Sequence, residues 1–264
     1  MQYSHLGSVI PIANQKGGVG KTTTSINLAA SLAALDKRVL LIDLDPQGNA
    51  STGLGIDKDD ADNTTYDLLM GTCALEDCVM ETSCEGLFIV PANGDLVGAD
   101  LAMANMPKRE LLLNQVLNQY KGEHFHFVLI DCPPTLNLLT INALSAASKI
   151  LITLQTEFYA MEGLTQMHDA IRHVRANLNE NLSIDGILLT LVDRRNTLDR
   201  QVEKEVRAYY GSQVYETVIP RNVRLAEAPS HGIPIIHYSV QATGSVAYLS
   251  MAQEMLERES IERS

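Results

Sequence analysis

At 264 residues the chain has room for one large α/β domain, or at most two small ones. Hydrophobic residues make up 45% and charged residues 20%, which is ordinary for a soluble globular protein, and no apolar run approaches the roughly 20 residues of a membrane span. The net charge of −12 argues against nucleic-acid binding only on average, because residues 172–224 hold nine Lys/Arg against seven Asp/Glu and are +2 while the remainder is −14.

Residues 1–7 are polar and mixed, unlike a secretory signal, and together with 259–264 are expected to be flexible ends. A first strand is expected over 8–14, where Pro11 is awkward: proline donates no ladder bond, so either the strand bulges there or it is shorter. The loop Lys16-Gly17-Gly18-Val19-Gly20-Lys21-Thr22-Thr23 follows, and a helix is predicted over 22–35. Three glycines within four positions let the backbone fold tightly and aim its N–H groups at phosphate oxygens. The helix behind adds its positive end, Lys21 is suited to the β and γ phosphates, and the Thr22 hydroxyl to Mg²⁺.

Beyond the loop, apolar runs predict strands over 39–43, 87–90, 127–131, 150–154 and 187–192. Their continuous apolar character suits strands covered on both faces. Helices are predicted over 109–120, 138–145, 161–177, 200–210 and 245–258. This alternation implies α/β architecture: a mostly parallel, twisted sheet flanked by helices, in one domain with neither a Pro/Gly-rich linker nor an internal repeat. Two of the strands end in aspartate, Asp43 (followed by Leu44-Asp45) and Asp131, at the sheet edge where ligands sit. There a carboxylate can hold a Mg²⁺-bound water or orient an attacking one; for Asp43, capping the next turn is an equal alternative. Cys73, Cys78, Cys84 and Cys132 read as free thiols of a reducing cytoplasm, with no CxxC pair to suggest a metal site.

The usual P-loop pattern asks for a glycine that residues 14–22 do not supply; instead Lys16 stands four residues before Gly20. This KGGVGKT form resembles the deviant Walker A loop of the ParA, MinD and nitrogenase iron protein group of P-loop NTPases. Later blocks resemble chromosomal ParA/Soj proteins over about 8–254: DLDPQGNAST at 43–52, TTYDLLMG at 64–71, VPANGDLVGAD at 90–100, DCPPTLNLLTINAL at 131–144, QTEFYAMEGL at 155–164 and IPRNVRLAEAPSHGIP at 219–234. The resemblance implies an ATPase acting as an ATP-dependent homodimer, in which Lys16 reaches the partner's nucleotide. Lys16, Lys21 and Asp45 form the implied catalytic set, with Asp45 positioning the hydrolytic water. Thr22 and Asp131 then lie at Mg²⁺ with Asp43 in support, and Pro220 and Asn222 near the adenine. Non-specific double-stranded DNA would meet Arg195, Arg221 and Arg224, extended by Arg194, Arg200 and Lys204. A ParB/Spo0J-like partner stimulating hydrolysis and a cytoplasmic, nucleoid-associated location belong to the same implication.

Rival readings are weaker on the residues. A MinD-like membrane function calls for a basic amphipathic C-terminal helix, whereas 254–264 is acidic and weakly apolar. An iron–sulfur reductase needs two cysteines per subunit at the dimer axis, and Cys132 has no suitably placed companion. A ParA-like ATPase that positions another cargo would share the same chemistry, and the expected lack of a DNA-binding domain ahead of residue 8 disfavours only the larger plasmid type.

Overall fold

The computed structural model describes residues 3–58 and 61–263, and among them seven strands form one sheet in the order β3-β4-β2-β5-β1-β6-β7. These are β1 (Leu6–Ala13), β2 (Val39–Asp43), β3 (Met80–Glu81), β4 (Leu87–Val90), β5 (Phe125–Asp131), β6 (Lys149–Gln155) and β7 (Ser183–Thr190). All pairings are parallel except β3 with β4. The apolar runs form strands because alternate side chains supply two cores at once. Leu40, Ile42, Val128 and Ile130 enter one cluster with Leu113, Leu139 and Met167 from the helices Leu112–Gln119, Leu138–Ala146 and Ala160–Asn177. Val39, Leu41, Phe127 and Leu129 enter the other, with Ile26 and Leu28 of the helix Lys21–Ala33 and Tyr248, Met251 and Met255 of the helix Thr243–Arg263. The C-terminal helix thus commits Tyr248, Met251 and Met255 to the core, and among the described residues no helix is long and apolar enough to cross a membrane.

Pro11 produces neither a bulge nor a short strand. It stays in register with Ile130 of β5. On the opposite side both backbone groups of Val9 meet Ser148 (Val9 N–H to the Ser148 side-chain Oγ 3.1 Å, Ser148 N–H to Val9 O 3.0 Å), so odd-numbered residues of β1 direct their backbone groups towards β6. The donor that Pro11 lacks therefore points to a stretch where the β1–β6 ladder has not begun, since its first partners are Ile12 and Leu151. Gly7 allows the close approach of β5: a Cβ there would stand 2.1 Å from the His126 carbonyl oxygen.

Other boundaries shift for local reasons. The strand expected over 187–192 stops at Thr190, because Leu191 turns to φ +55° and Val192 bridges to Pro220 instead. The helix expected over 109–120 opens as a 3₁₀ turn, Arg109–Leu111, before Leu112–Gln119. Short elements with no periodic signature, such as β3 and the helices Asn49–Gly53, Thr65–Met70 and Val223–Glu227, are not visible as runs in the sequence. The ends expected to be flexible carry structure where they are described. Tyr3 is buried with its hydroxyl on Ala146 O at 2.7 Å, and Glu259 is buried and takes the Ser8 hydroxyl. Residues 1, 2 and 264 lie outside the described residues.

Candidate functional site

The glycine-rich loop leaves the C-terminal end of β1 and is pinned from β6 and β7. Asn14 accepts the Lys16 N–H on Oδ1 at 3.0 Å and donates Nδ2 to Thr153 O of β6 at 2.6 Å. Thr190 at the end of β7 donates its hydroxyl to Val19 O at 2.8 Å. Between these pins Gly18 and Gly20 take φ +75° and +82°, a left-handed turn that a side chain would strain, and nothing lies within 4 Å of where a Gly18 Cβ would stand. Gly20 caps the helix Lys21–Ala33 with no side-chain hydrogen bond, so no side chain at the cap competes for the first-turn amides that follow the loop. Lys21 is buried and its ammonium donates to Lys16 O at 3.1 Å. Burial lowers its pKa, and the Asp131 carboxylate works against that shift.

Asp43 and Asp131 face one another in the β2–β5 register, and both are wholly buried. The two differ in how their oxygens are used. Asp43 Oδ2 accepts the Ser51 N–H (2.9 Å) and hydroxyl (2.7 Å), and Oδ1 accepts the Asp45 N–H (3.2 Å), so its carboxylate organises the turn and short helix after β2. Asp131 Oδ1 accepts the Ser25 hydroxyl at 2.9 Å, whereas Oδ2 has no hydrogen-bond partner although it is buried. Burial raises the pKa of both groups; for Asp131 the Asp43 carboxylate adds to the rise, and the Thr22 and Ser25 hydroxyls beside it offset part. Asp45 is buried at the same edge, with Oδ1 on the Gln47 N–H at 3.0 Å. An unpartnered carboxylate oxygen next to Thr22, facing an open loop of amides, suits a polyphosphate carried with a divalent cation.

Lys16 projects away from that cradle. Its ammonium is ion-paired with Glu157, both side chains half-exposed, beside the exposed rings of Phe158 and Tyr159. Glu157, Ser25, Ser51, Asn14 and Thr190 are not among the residues given a site role from the sequence. They enter the site because the ends of β1, β6 and β7, the first helix and the short helix Asn49–Gly53 bring them there.

The later candidates split. Pro220, Arg221, Arg194 and Arg195 line one cavity of about 520 Å³ with Val192 and Asp193, held by Val192 N–H to Ile219 O (3.0 Å) and Arg221 N–H to Val192 O (3.1 Å). Asn222 instead caps the helix Val223–Glu227, taking the Arg224 N–H at 2.8 Å and donating to Thr243 Oγ1 at 2.6 Å. Arg195 makes a two-point pair with Asp193 (2.9 and 2.8 Å), which holds the Asp193 carboxyl down at about 2. Arg224 pairs with Glu227 at 2.8 Å, and Arg200 donates to Thr197 Oγ1 at 3.2 Å. Of the three arginines proposed for DNA, Arg195 and Arg224 are thus each paired with a carboxylate of their own chain.

Comparison with known proteins adds the following. A family model described as "AAA domain" matches residues 7–184. The chain is 50% identical over 252 residues to the chromosome partitioning protein ParA of Caulobacter vibrioides, covering 95% of this chain and 94% of that protein. It is 49% identical over 250 residues to the sporulation initiation inhibitor protein Soj of Bacillus subtilis, covering 95% and 98%. Among solved structures, it resembles cobyrinic acid a,c-diamide synthase from Mycobacterium smegmatis with bound ADP and magnesium, at a TM-score of 0.84 and 35% identity, covering 96% of each chain.

Proposed function

This chain belongs to the ParA/Soj family of P-loop ATPases, and on that premise we propose that it is a partitioning ATPase: an ATP-switched dimer that binds DNA non-specifically and is reset by hydrolysis. The observation that carries the reading is the ring of Lys21, Asp45 and the half-unpartnered Asp131 around an open glycine loop at the C-terminal sheet edge.

In this reading the loop amides of residues 17–23 and the Lys21 ammonium hold the ATP phosphates. For that, Lys21 exchanges its bond to Lys16 O for phosphate oxygens. Thr22 and Asp131 hold Mg²⁺, with Asp43 fixing the strand end beside them through Ser51. The cation, when bound, supplies positive charge against the phosphates. Asp45 orients the attacking water, and its placement two residues beyond Asp43, which binds its N–H, sets where that carboxylate points. Pro220 takes the adenine, with Asn222 supporting from the cap of the next helix.

Dimerisation requires Lys16 to leave Glu157 for the partner's phosphates, so the two subunits close over the surface that carries Phe158 and Tyr159. DNA then meets Arg195, Arg221 and Arg224 of both subunits, and each phosphate neutralised steepens the salt dependence by about 0.9. A ParB/Spo0J-like protein accelerates hydrolysis and releases the DNA, which keeps the protein on the nucleoid only while ATP is intact. The test is gel shift on duplex DNA with ATP, ADP or no nucleotide at low and moderate salt. Binding that needs ATP and weakens with salt supports the reading; binding indifferent to nucleotide, or none at all, overturns it.

A further inference from the structure

Outside the nucleotide site, two sulfurs lie against each other. Cys73 Sγ and Cys78 Sγ are 3.0 Å apart at the edge of the one-turn helix Leu75–Cys78. The turn between them is already set, because Asp77 caps the Ala74 N–H at 3.1 Å and the Cys78 thiol is directed to Ala74 O at 3.4 Å. The two thiols differ in access: Cys73 is partly exposed, whereas Cys78 is buried against the core. We propose that Cys73 and Cys78 form a reversible redox site, which closes to an intramolecular disulfide on reaction with a low-molecular-weight disulfide of the glutathione class.

Access and charge set the order of steps. Burial, the adjoining Cys73 thiol and the carboxylates of Asp67 and Asp77 all hold Cys78 in its protonated form. Cys73 is therefore the attacking group. Its thiolate bonds to one sulfur of the small disulfide, the S–S bond of that molecule breaks, and one small thiolate leaves and takes up a proton. Cys78 then gives its proton to solvent and attacks the Cys73 sulfur, and the second small thiol departs. Two protein thiols are oxidised by two electrons in all, and one small disulfide is reduced to two thiols. Only a six-residue segment is closed, so the link restricts the unfolded chain little and stays open to reduction.

The site also touches the frame of the strand ends. Cys78 Sγ lies 3.9 Å from Thr64 O, and the next residue, Thr65, donates its hydroxyl to Asp43 O at 2.7 Å and Pro91 O at 3.1 Å. The disulfide would brace the turn from which Thr65 supports β2.

The test uses the full-length protein equilibrated without denaturant over a series of reduced-to-oxidised glutathione ratios, then acid-quenched, alkylated, digested and weighed. The expected result is a Cys73–Cys78 linked peptide, two hydrogens lighter, that appears as the ratio falls and vanishes with dithiothreitol, while Cys84 and Cys132 stay alkylated. The variant Cys78→Ser should accumulate a mixed disulfide on Cys73, and Cys73→Ser should lose both products. Free Cys73 and Cys78 at every ratio, or a link formed only after unfolding, would overturn the proposal; a mixed disulfide on Cys78 in Cys73→Ser would overturn the order of attack.

Discussion

The Lys16 ammonium is ion-paired with the Glu157 carboxylate, so the lysine that distinguishes this loop is held by a residue 141 positions away in its own chain. An exposed pair of this kind is worth about 0.2–1 kcal/mol. Lys16→Ala should bind ATP and stay monomeric in sedimentation velocity, whereas Glu157→Gln should dimerise at an ATP concentration lower by up to about fivefold. Normal ATP-dependent dimers of Lys16→Ala would refute the cross-subunit role.

The turn that Asp43 organises fixes Asp45 at the sheet edge, where the proposed mechanism has it orient water. Asp45→Ala should reduce ATP hydrolysis by about 100-fold or more while leaving nucleotide binding within a few-fold, and should trap the dimer on DNA. Phosphate release and a DNA off-rate measured on the same preparation decide the matter. Unchanged hydrolysis would remove Asp45 from the mechanism.

For DNA binding at Arg195 and Arg224, the competitor of the phosphate is a carboxylate already in place. Asp193 is held down at about 2 by Arg195. A carboxyl depressed in the folded state contributes above its unfolded value and loses that contribution only as pH falls through the depressed one, so the pair persists across the working pH range. Asp193→Asn should therefore strengthen binding to duplex DNA, and Arg195→Glu should weaken it and lower the salt slope by about 1 per arginine removed from phosphate. Fluorescence anisotropy over a salt series reads both; an Arg195→Glu protein that binds like the parent would move the interface elsewhere.

The buried pair Asp43 and Asp131 sets a pH dependence of the opposite sign. Both titrate above the ordinary carboxylate value of 3.8, chiefly through burial. A carboxyl raised in the folded state stabilises below its unfolded value, and that stability is lost as pH rises through the raised one. Nucleotide-free protein should therefore lose stability from this pair as pH climbs from the acid range towards neutrality. A cation held by Asp131 favours its ionised form, so Mg²⁺ with a non-hydrolysed ATP analogue should flatten that slope and chelation should restore it. Calorimetric Tm values at about pH 5 and about pH 8 would show this; identical slopes with and without Mg²⁺ would take the cation away from Asp131.

Gly7 offers a test of the fold alone. With His126 O 2.1 Å from the position of a Cβ, Gly7→Ala must push β1 and β5 apart locally. A cost of about 1–3 kcal/mol is expected, which for a domain of this size lowers Tm by roughly 2–4 °C per kcal/mol. A Tm equal to that of the parent would mean the strands yield freely there.

Much of the frame was legible in the residue order. The runs at 39–43 and 87–90 are strands with the same limits in the structure, because a strand buried on both faces must be apolar throughout. The loop at 16–23 was equally plain, since a backbone that turns left-handed twice within three residues needs glycine there. Pro11 misled because sequence alone does not say which side of a strand still lacks a neighbour, and the short helices at 49–53 and 223–227 are too brief for any period to show.

Local chemistry therefore specified the sheet, the phosphate-sized loop and the aspartates at its rim, each of which follows from residues a few positions apart. Folding alone decided the rest: that Asp131 keeps one oxygen unpartnered while Asp43 spends both, and that Glu157 holds Lys16. Most of these depend on which groups burial leaves within hydrogen-bonding distance. Residue order does not encode that distance until β5, β6 and β7 are stacked beside β1 and β2 in their final register.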